Sequence, residues 1–152
     1  MSSSTSVTIT RQSGYRFLVD FSPNMPGLLS DEPPPLGEAV GPAPNQMLMA
    51  AVANCLSASL VFALQKFKQD PGALTATATA EVGRNENKRL RIQSIAVKLT
   101  LGKPGAELEH LDRVLSQFAE FCTVSMSVQQ GIAVGFEVYD ATGAVLSRAS
   151  GH

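Results

Sequence analysis

Met47-Leu-Met-Ala-Ala-Val-Ala-Asn-Cys-Leu-Ser-Ala-Ser-Leu-Val-Phe-Ala-Leu64 is a run of 18 residues without a charge. That length reaches the threshold for a membrane-spanning helix. The run also carries Asn54, Ser57 and Ser59, many alanines, and no basic residue on its N-terminal flank. A helix that is apolar nearly all round equally forms the core of a globular protein. We read it as a long buried core helix, and no membrane partner is expected. Pro44 suits the first turn of a helix. Asp70-Pro71-Gly72 stops it. The helix is therefore predicted over 44–69, about 39 Å long. Within it Leu48, Val52, Cys55, Ser59 and Phe62 fall on one line, in steps of three and four.

Working outward, the N-terminal side reads as strands. Val7, Ile9 and Arg11 share one parity against Thr8 and Thr10, which predicts a half-buried strand. Gln12-Ser13-Gly14 signals a turn, and Tyr15, Phe17, Val19 and Phe21 alternate again. Residues 6–22 are a predicted hairpin. Residues 23–43 are rich in proline and glycine and are irregular, with a short strand near Leu28-Leu29. So long a segment covers a site or reaches a partner chain.

On the other side, Leu74, Ala76, Ala78, Ala80 and Val82 alternate with threonines and Glu81, which predicts a strand. In the next strand Leu90 and Ile92 are apolar on even numbers, but Ile95, Val97, Leu99 and Leu101 on odd ones. That change of parity predicts a bulge near Gln93-Ser94. Leu108, Leu111, Leu115, Phe118 and Cys122 recur at helical spacing, which predicts one amphipathic helix with Cys122 on its core face. Glu107, Glu109 and Asp112 lie near its N-terminus, where acids are favoured. A helical turn over 125–130 ends at Gly131. Ile132, Val134, Phe136 and Val138 form a strand, Asp140 to Gly143 a turn, and Ala144 to Arg148 a last strand. The order ββ–α–ββ–α–α–ββ predicts antiparallel sheets packed on a long central helix. The class is α+β, in a single domain over 1–152 with its helix and sheet body at 44–152.

Composition bounds the function. Apolar residues make up 44% and charged residues 16%, which excludes a disordered chain. Twelve basic against 13 acidic residues leave no surplus of positive charge for nucleic acid. The low charge points to apolar surface covered by another chain, hence an oligomer. Two cysteines with only His110 and His152 make no metal site. The polar start, Met1 to Ser6, lacks the regions of a signal peptide. A cytoplasmic location is expected, where thiols stay reduced.

Cys55 and Cys122 both point to the interior by these readings, where they either meet or fill space. Gly41-Pro-Ala-Pro-Asn-Gln-Met-Leu-Met-Ala-Ala-Val-Ala-Asn-Cys55-Leu resembles the helix signature of the OsmC/Ohr family. Phe121-Cys122-Thr-Val-Ser125, followed by Gly131 and an alternating strand, resembles that family's second motif, usually Cys-Pro-Val-Ser. The order of elements is similar along nearly the whole chain. The resemblance implies an OsmC-like fold and an intertwined homodimer. It implies a thiol-dependent peroxidase that reduces organic hydroperoxides to alcohols.

By that resemblance Cys55 is the peroxidatic thiolate and Cys122 the resolving thiol. Cys55 becomes a sulfenic acid, and Cys122 condenses with it to a disulfide. No bound cofactor is implied. An external dithiol, of lipoyl type in the family, restores both thiols. An apolar setting raises a cysteine pKa, and Cys55 lies about three turns into its predicted helix. A cation is therefore required from elsewhere. Arg11 sits on the apolar parity of its strand and at the family's place for a catalytic arginine. Arg16 lies on the opposite parity and reads as solvent-facing. Peroxidase members usually carry a glutamate after the second proline, orienting the arginine. Here that place holds Asn45 or Gln46, and Glu38 or Glu32 are substitutes.

Met47, Met49, Phe62, Phe67, Phe118 and Phe121 are candidates to line an apolar substrate pocket, which suits an alkyl or aryl hydroperoxide. Lys98, Lys103, Arg89 and Arg91 read as a solvated face, and so does His110. The alternative function is a non-catalytic protein that binds a hydrophobic ligand or senses redox state on the same fold. A third reading treats both cysteines as core packing.

Overall fold

A computed structural model describes residues 2–131, 134–139, 142 and 144–149. Contacts group the chain into two compact units, Met1–Ala53 with Thr77–Lys98, and Asn54–Ala76 with Leu99–His152. The class is α+β, with antiparallel strands.

The first unit opens with strands β1 (Thr8–Ser13), β2 (Arg16–Asp20) and β3 (Leu28–Ser30), hydrogen-bonded in that order and antiparallel. The predicted hairpin and short third strand are both present. Ile9 pairs with Val19, Arg11 with Phe17, and the register shifts before Ser13 meets Arg16. Gly14 turns the chain at φ +51°, where a side chain would be strained. β1 is exposed along its whole length, not half-buried as its alternation predicts. Among the described residues it is an edge strand with β2 alone beside it, and parity alone does not cover an edge. Val19 of β2 is buried.

The proline-rich segment is ordered by one carboxylate. Asp31, 2% exposed, accepts backbone N–H bonds from Glu32 at 2.8 Å, Glu38 at 3.0 Å and Val40 at 3.2 Å. The pairing of Phe17 with Ser30 brings Arg16 to Asp31, Nε to Oδ2 at 3.7 Å. Its other nitrogen reaches Glu38 Oε2 at 2.7 Å. Arg16 is thus a half-buried ion-pair partner, not the solvent-facing residue its parity predicts. The acid beside it sets its direction. Gly41 runs against the Leu29 carbonyl, so closely that a side chain at 41 would overlap it. The Gly41-Pro pattern therefore has a packing cause.

Helix α1 (Pro44–Gln65) follows. Gln46 Oε1 reaches back to the Ala43 N–H at 2.9 Å, the reciprocal half of a capping box, while Ala43 has no acceptor of its own. The helix ends before the predicted Gln69. Lys68 takes a left-handed conformation, its N–H bonds the Gln65 carbonyl, and the Gln69 N–H bonds that of Leu64. This Schellman closure stops the helix a turn early. Its 22 residues span about 33 Å. Val52, Ser59, Leu60, Ala63 and Leu64 are buried, and the rest is half-buried or exposed. In the single chain the helix is therefore not the fully buried rod that its composition predicts.

Strands β4 (Thr75–Arg84) and β5 (Leu90–Thr100) pair with each other. Burial along β5 changes parity between Ile92 and Ile95, where the sequence does. In the second unit, Leu60, Ala63, Leu64 and Val114 form the core, with Phe67, Leu74, Leu99, Leu101, Leu111 and Phe118 packed on it.

The predicted amphipathic helix is broken. Helix α2 (Leu111–Gln117) is seven residues long, a 3-10 turn covers Phe118–Phe121, and helix α3 spans Thr123–Gln130. Leu115 is exposed, so its expected place on a core face fails. Only Asp112 of the three acids lies in a first turn of α2. His110 precedes α2 in a left-handed conformation, exposed and stacked on Phe67. Strands β6 (Phe136–Tyr139) and β7 (Val145–Ala149) pair antiparallel. Of the expected strand, Ile132 lies outside the described residues, as do Asp140, Ala141 and Gly143 of the expected turn, and His152.

Candidate active site

The break after the 3-10 turn creates the site. Cys122 is no longer a helical core residue but the N-cap of α3, at φ −83° and ψ 97°. Its Sγ accepts the Ser125 N–H at 3.3 Å, the bond a serine or aspartate oxygen makes at other helix starts. Cys55 approaches from α1, and the Thr123 and Val124 N–H groups favour charge on its sulfur. No helical carbonyl can satisfy the first three N–H groups of α3; that of Ser125 goes to Cys122, and those of Thr123 and Val124 favour charge on Cys55. Both cysteines are free, and each thiol acts on the charge of the other. Cys122 is fully buried, and Cys55 is half-buried.

The two thiols differ in their hold on charge. Burial works against a thiolate on Cys122. The Ser125 hydroxyl, the Cys55 thiol, the Ser125 N–H and the Ser59 hydroxyl outweigh it, and the Cys122 pKa is lowered. For Cys55, burial comes first and its thiol donates to Cys122. The Val124 and Thr123 N–H groups only partly offset this, and its pKa is raised. Two such close groups release their protons as a pair. The direction is that one negative charge, once present, rests on Cys122 while Cys55 keeps the proton.

Ser125 completes the picture. It is 4% exposed, and its Oγ is buried without a hydrogen-bond partner of proper geometry among the described residues. A buried orphan hydroxyl is costly. A sulfur that becomes charged beside it is the acceptor it lacks.

The remaining candidates have contacts of their own. Arg11 is exposed on β1, and its Nε donates to the Gly14 carbonyl at 2.9 Å. Glu38 holds Arg16, not Arg11. Gln46 is engaged in capping α1. Asn45 and Glu32 share the wall of an open pocket of about 230 Å³ with Val82, Arg91 and Ile92. Met47 is half-buried. Phe62 and Phe121 meet edge to face, centroids 5.6 Å apart, with Lys66 Nζ 4.9 and 4.4 Å from the two rings. Phe118 packs on the core. No group of three or more metal-binding side chains occurs among the described residues.

Sequence reasoning missed three contributors: Ser59, Ser125 and the N–H groups of Thr123 and Val124. Ser59 was visible as the residue four after Cys55 on its line. The others needed α3 to begin at Thr123, which makes Cys122 a cap.

A family model for OsmC-like proteins matches residues 37–137. Comparison with curated proteins gives no match. Among solved structures, the chain is similar to an OsmC-like protein of unknown function from Vibrio cholerae, with a TM-score of 0.69 at 16% identity. The match covers 84% of this chain and 95% of that one. It is similar to an organic hydroperoxide resistance protein from Legionella pneumophila, with a TM-score of 0.61 at 15% identity, covering 84% and 92%. It is also similar to the organic hydroperoxide resistance protein OhrB of Bacillus subtilis, with a TM-score of 0.58 at 14% identity, covering 80% and 88%. At these identities the likeness is one of fold.

Proposed function

The chain belongs to the OsmC-like protein family, and we propose that it reduces organic hydroperoxides with Cys55 and Cys122. The observation that carries this reading is the contact between the two free thiols at the start of α3. Cys55, the more accessible, attacks the peroxide and becomes a sulfenic acid. Cys122, already in contact, displaces water and closes the disulfide. A dithiol of lipoyl type reopens it by exchange. The name of organic hydroperoxide resistance carried by two similar structures agrees with this chemistry.

The protein works as a cytoplasmic homodimer in this reading. The exposed apolar residues Ile9, Leu18, Phe21, Leu29 and Leu48 support a covering copy. Phe62 and Phe121 are the apolar side chains offered to an alkyl or aryl group. Arg11 is retained as the cation for peroxide oxygens, without an orienting acid.

The test is stoichiometric cumene hydroperoxide on reduced protein, read as intact mass, free thiols and released alcohol. Loss of both thiols without added oxygen is expected. Cys55→Ser is then inert, and Cys122→Ser, once it reacts, goes no further than sulfenic acid. Two thiols that survive incubation overturn the proposal. One observation favours a second reading, a hydrophobic-ligand or redox-sensing protein: the place of the family's glutamate holds Asn45 or Gln46, neither of them an acid, and Gln46 is spent on capping. Surviving thiols with saturable binding of an apolar fluorophore would select it.

A further inference from the structure

The peroxidase reading leaves a chemical gap. Cys55 must give up its proton to attack, yet the one ionised side chain among the leading influences on either sulfur is Cys122 itself, whose charge holds the Cys55 proton on. Those influences come from two elements. Helix α1 presents Cys55 and Ser59, and α3 presents the Thr123, Val124 and Ser125 N–H groups and the Ser125 hydroxyl. The charged residues next along the chain, Lys66 and Glu120, are exposed. Ser125 is the unexplained part. Ser125 is 4% exposed, its hydroxyl lacks a partner of proper geometry among the described residues, and it acts on a sulfur that its own N–H already holds at 3.3 Å. Removing it from a site of neutral thiols would relieve a cost. Its presence makes sense for a charged one.

We propose that Ser125 is a positioning residue of the thiol pair: its hydroxyl donates to the Cys122 sulfur when that sulfur is charged, and the Cys122 thiolate takes the Cys55 proton as Cys55 attacks. This rests on the peroxidase reading for its second half only. The steps balance. The Cys55 proton passes to Cys122 as a bond forms between Cys55 Sγ and the outer peroxide oxygen. The O–O bond breaks, and the alkoxide leaves and takes a proton from water. Cys122 Sγ then attacks the sulfenic sulfur. The S–S bond forms, the S–O bond breaks, and hydroxide departs with the Cys122 proton as water. The cysteines lose two electrons and the peroxide gains two. The buried cysteine is thus base first and resolving thiol second, and no arginine is needed to remove the proton.

The experiment follows the ultraviolet absorbance of thiolate against pH in the reduced protein, for the wild type, Ser125→Ala and Ser125→Thr. The same proteins then give the pH profile of single-turnover cumene hydroperoxide reduction. A bond to a charged sulfur is strong enough that Ser125→Ala moves the first thiolate step up by about one pH unit. The acid limb of peroxide reduction moves with it, and Ser125→Thr restores both. Superimposed thiolate profiles for the wild type and Ser125→Ala overturn the role of Ser125. A shifted thiolate step with an unshifted acid limb overturns the role of Cys122 as base. Thiols of the wild type that ignore peroxide, beside a thiolate step that still shifts, sink the peroxidase reading and leave the Ser125 contact standing. The thermal midpoint of Ser125→Ala at acid pH, where both thiols are protonated, checks that the fold is intact.

Discussion

Asp31 and Cys122 are both buried, and backbone N–H groups hold both, yet the two surroundings are built for different ends. Three N–H donors converge on the Asp31 carboxylate, and Arg16 adds a formal charge. Burial opposes the charge, but the N–H groups of Glu38, Val40 and Glu32, with Arg16, hold the carboxyl below its usual range. Each of these donors has its acceptor, and nothing there has a proton to pass on. Cys122 has one N–H, a neighbouring thiol, and the hydroxyls of Ser59 and Ser125, the latter without a partner of proper geometry among the described residues. A saturated anion site fixes a loop. An anion site with a spare donor and a transferable proton is a place for chemistry.

Variants in each unit sharpen that contrast. The largest effect belongs to a control. Leu64, fully buried, anchors the core of the second unit. Leu64→Ala should cost about 2–5 kcal/mol in urea unfolding. An unchanged urea midpoint would remove the core described above. Asp31→Asn comes next, since an amide sets its own N–H against backbone donors. Its signature is a pH slope. The folded carboxyl has the lowered pKa, so the unfolded chain binds more protons as pH drops below the ordinary carboxylate range. The stabilisation is present above that range and is lost as pH falls through the folded value. Asp31→Asn should flatten this acid limb of stability. An acid limb that keeps its slope would mean that Asp31 is not the group that matters. Glu38→Gln is smaller. Glu38 is 77% exposed against Arg16, and such pairs are worth about 0–1 kcal/mol. The difference from wild type should shrink further in salt. A loss as large as that of Asp31→Asn would make the outer acid, not the buried one, the organiser of the segment.

The contrast also separates what the sequence discloses from what it hides. The hairpin at Ile9 and Val19, the short strand at Leu28, and the parity change between Ile92 and Ile95 follow from local alternation, and all were legible. The α1 span was legible except for its last turn, where Lys68 adopts a conformation usually left to glycine. The second helix was misread because Leu111, Leu115, Phe118 and Cys122 keep helical spacing through a 3-10 turn, and spacing does not reveal where hydrogen bonds break. Arg16 was misread because parity says nothing of an acid 15 residues on. Both cysteines were legible as inward-facing. Their donors were not, because a backbone N–H leaves no mark on the sequence.

Thr123 offers the finest division of the pair. As the first residue of α3 it stands where proline is well tolerated. Cys122 before it, at φ −83° and ψ 97°, already has the extended backbone that proline demands of its predecessor. Thr123→Pro should therefore fold, with a stability change within about 0.5 kcal/mol. It removes one N–H from Cys55 and leaves the Ser125 N–H on Cys122. The first thiolate step should stay in place. The second, belonging to Cys55, should rise by roughly half a pH unit to one. The opposite pattern, a first step that rises and a second that does not, would put the resting charge on Cys55. The base and the nucleophile would then exchange places, and Ser125 would hold a sulfur that never carries the charge at rest.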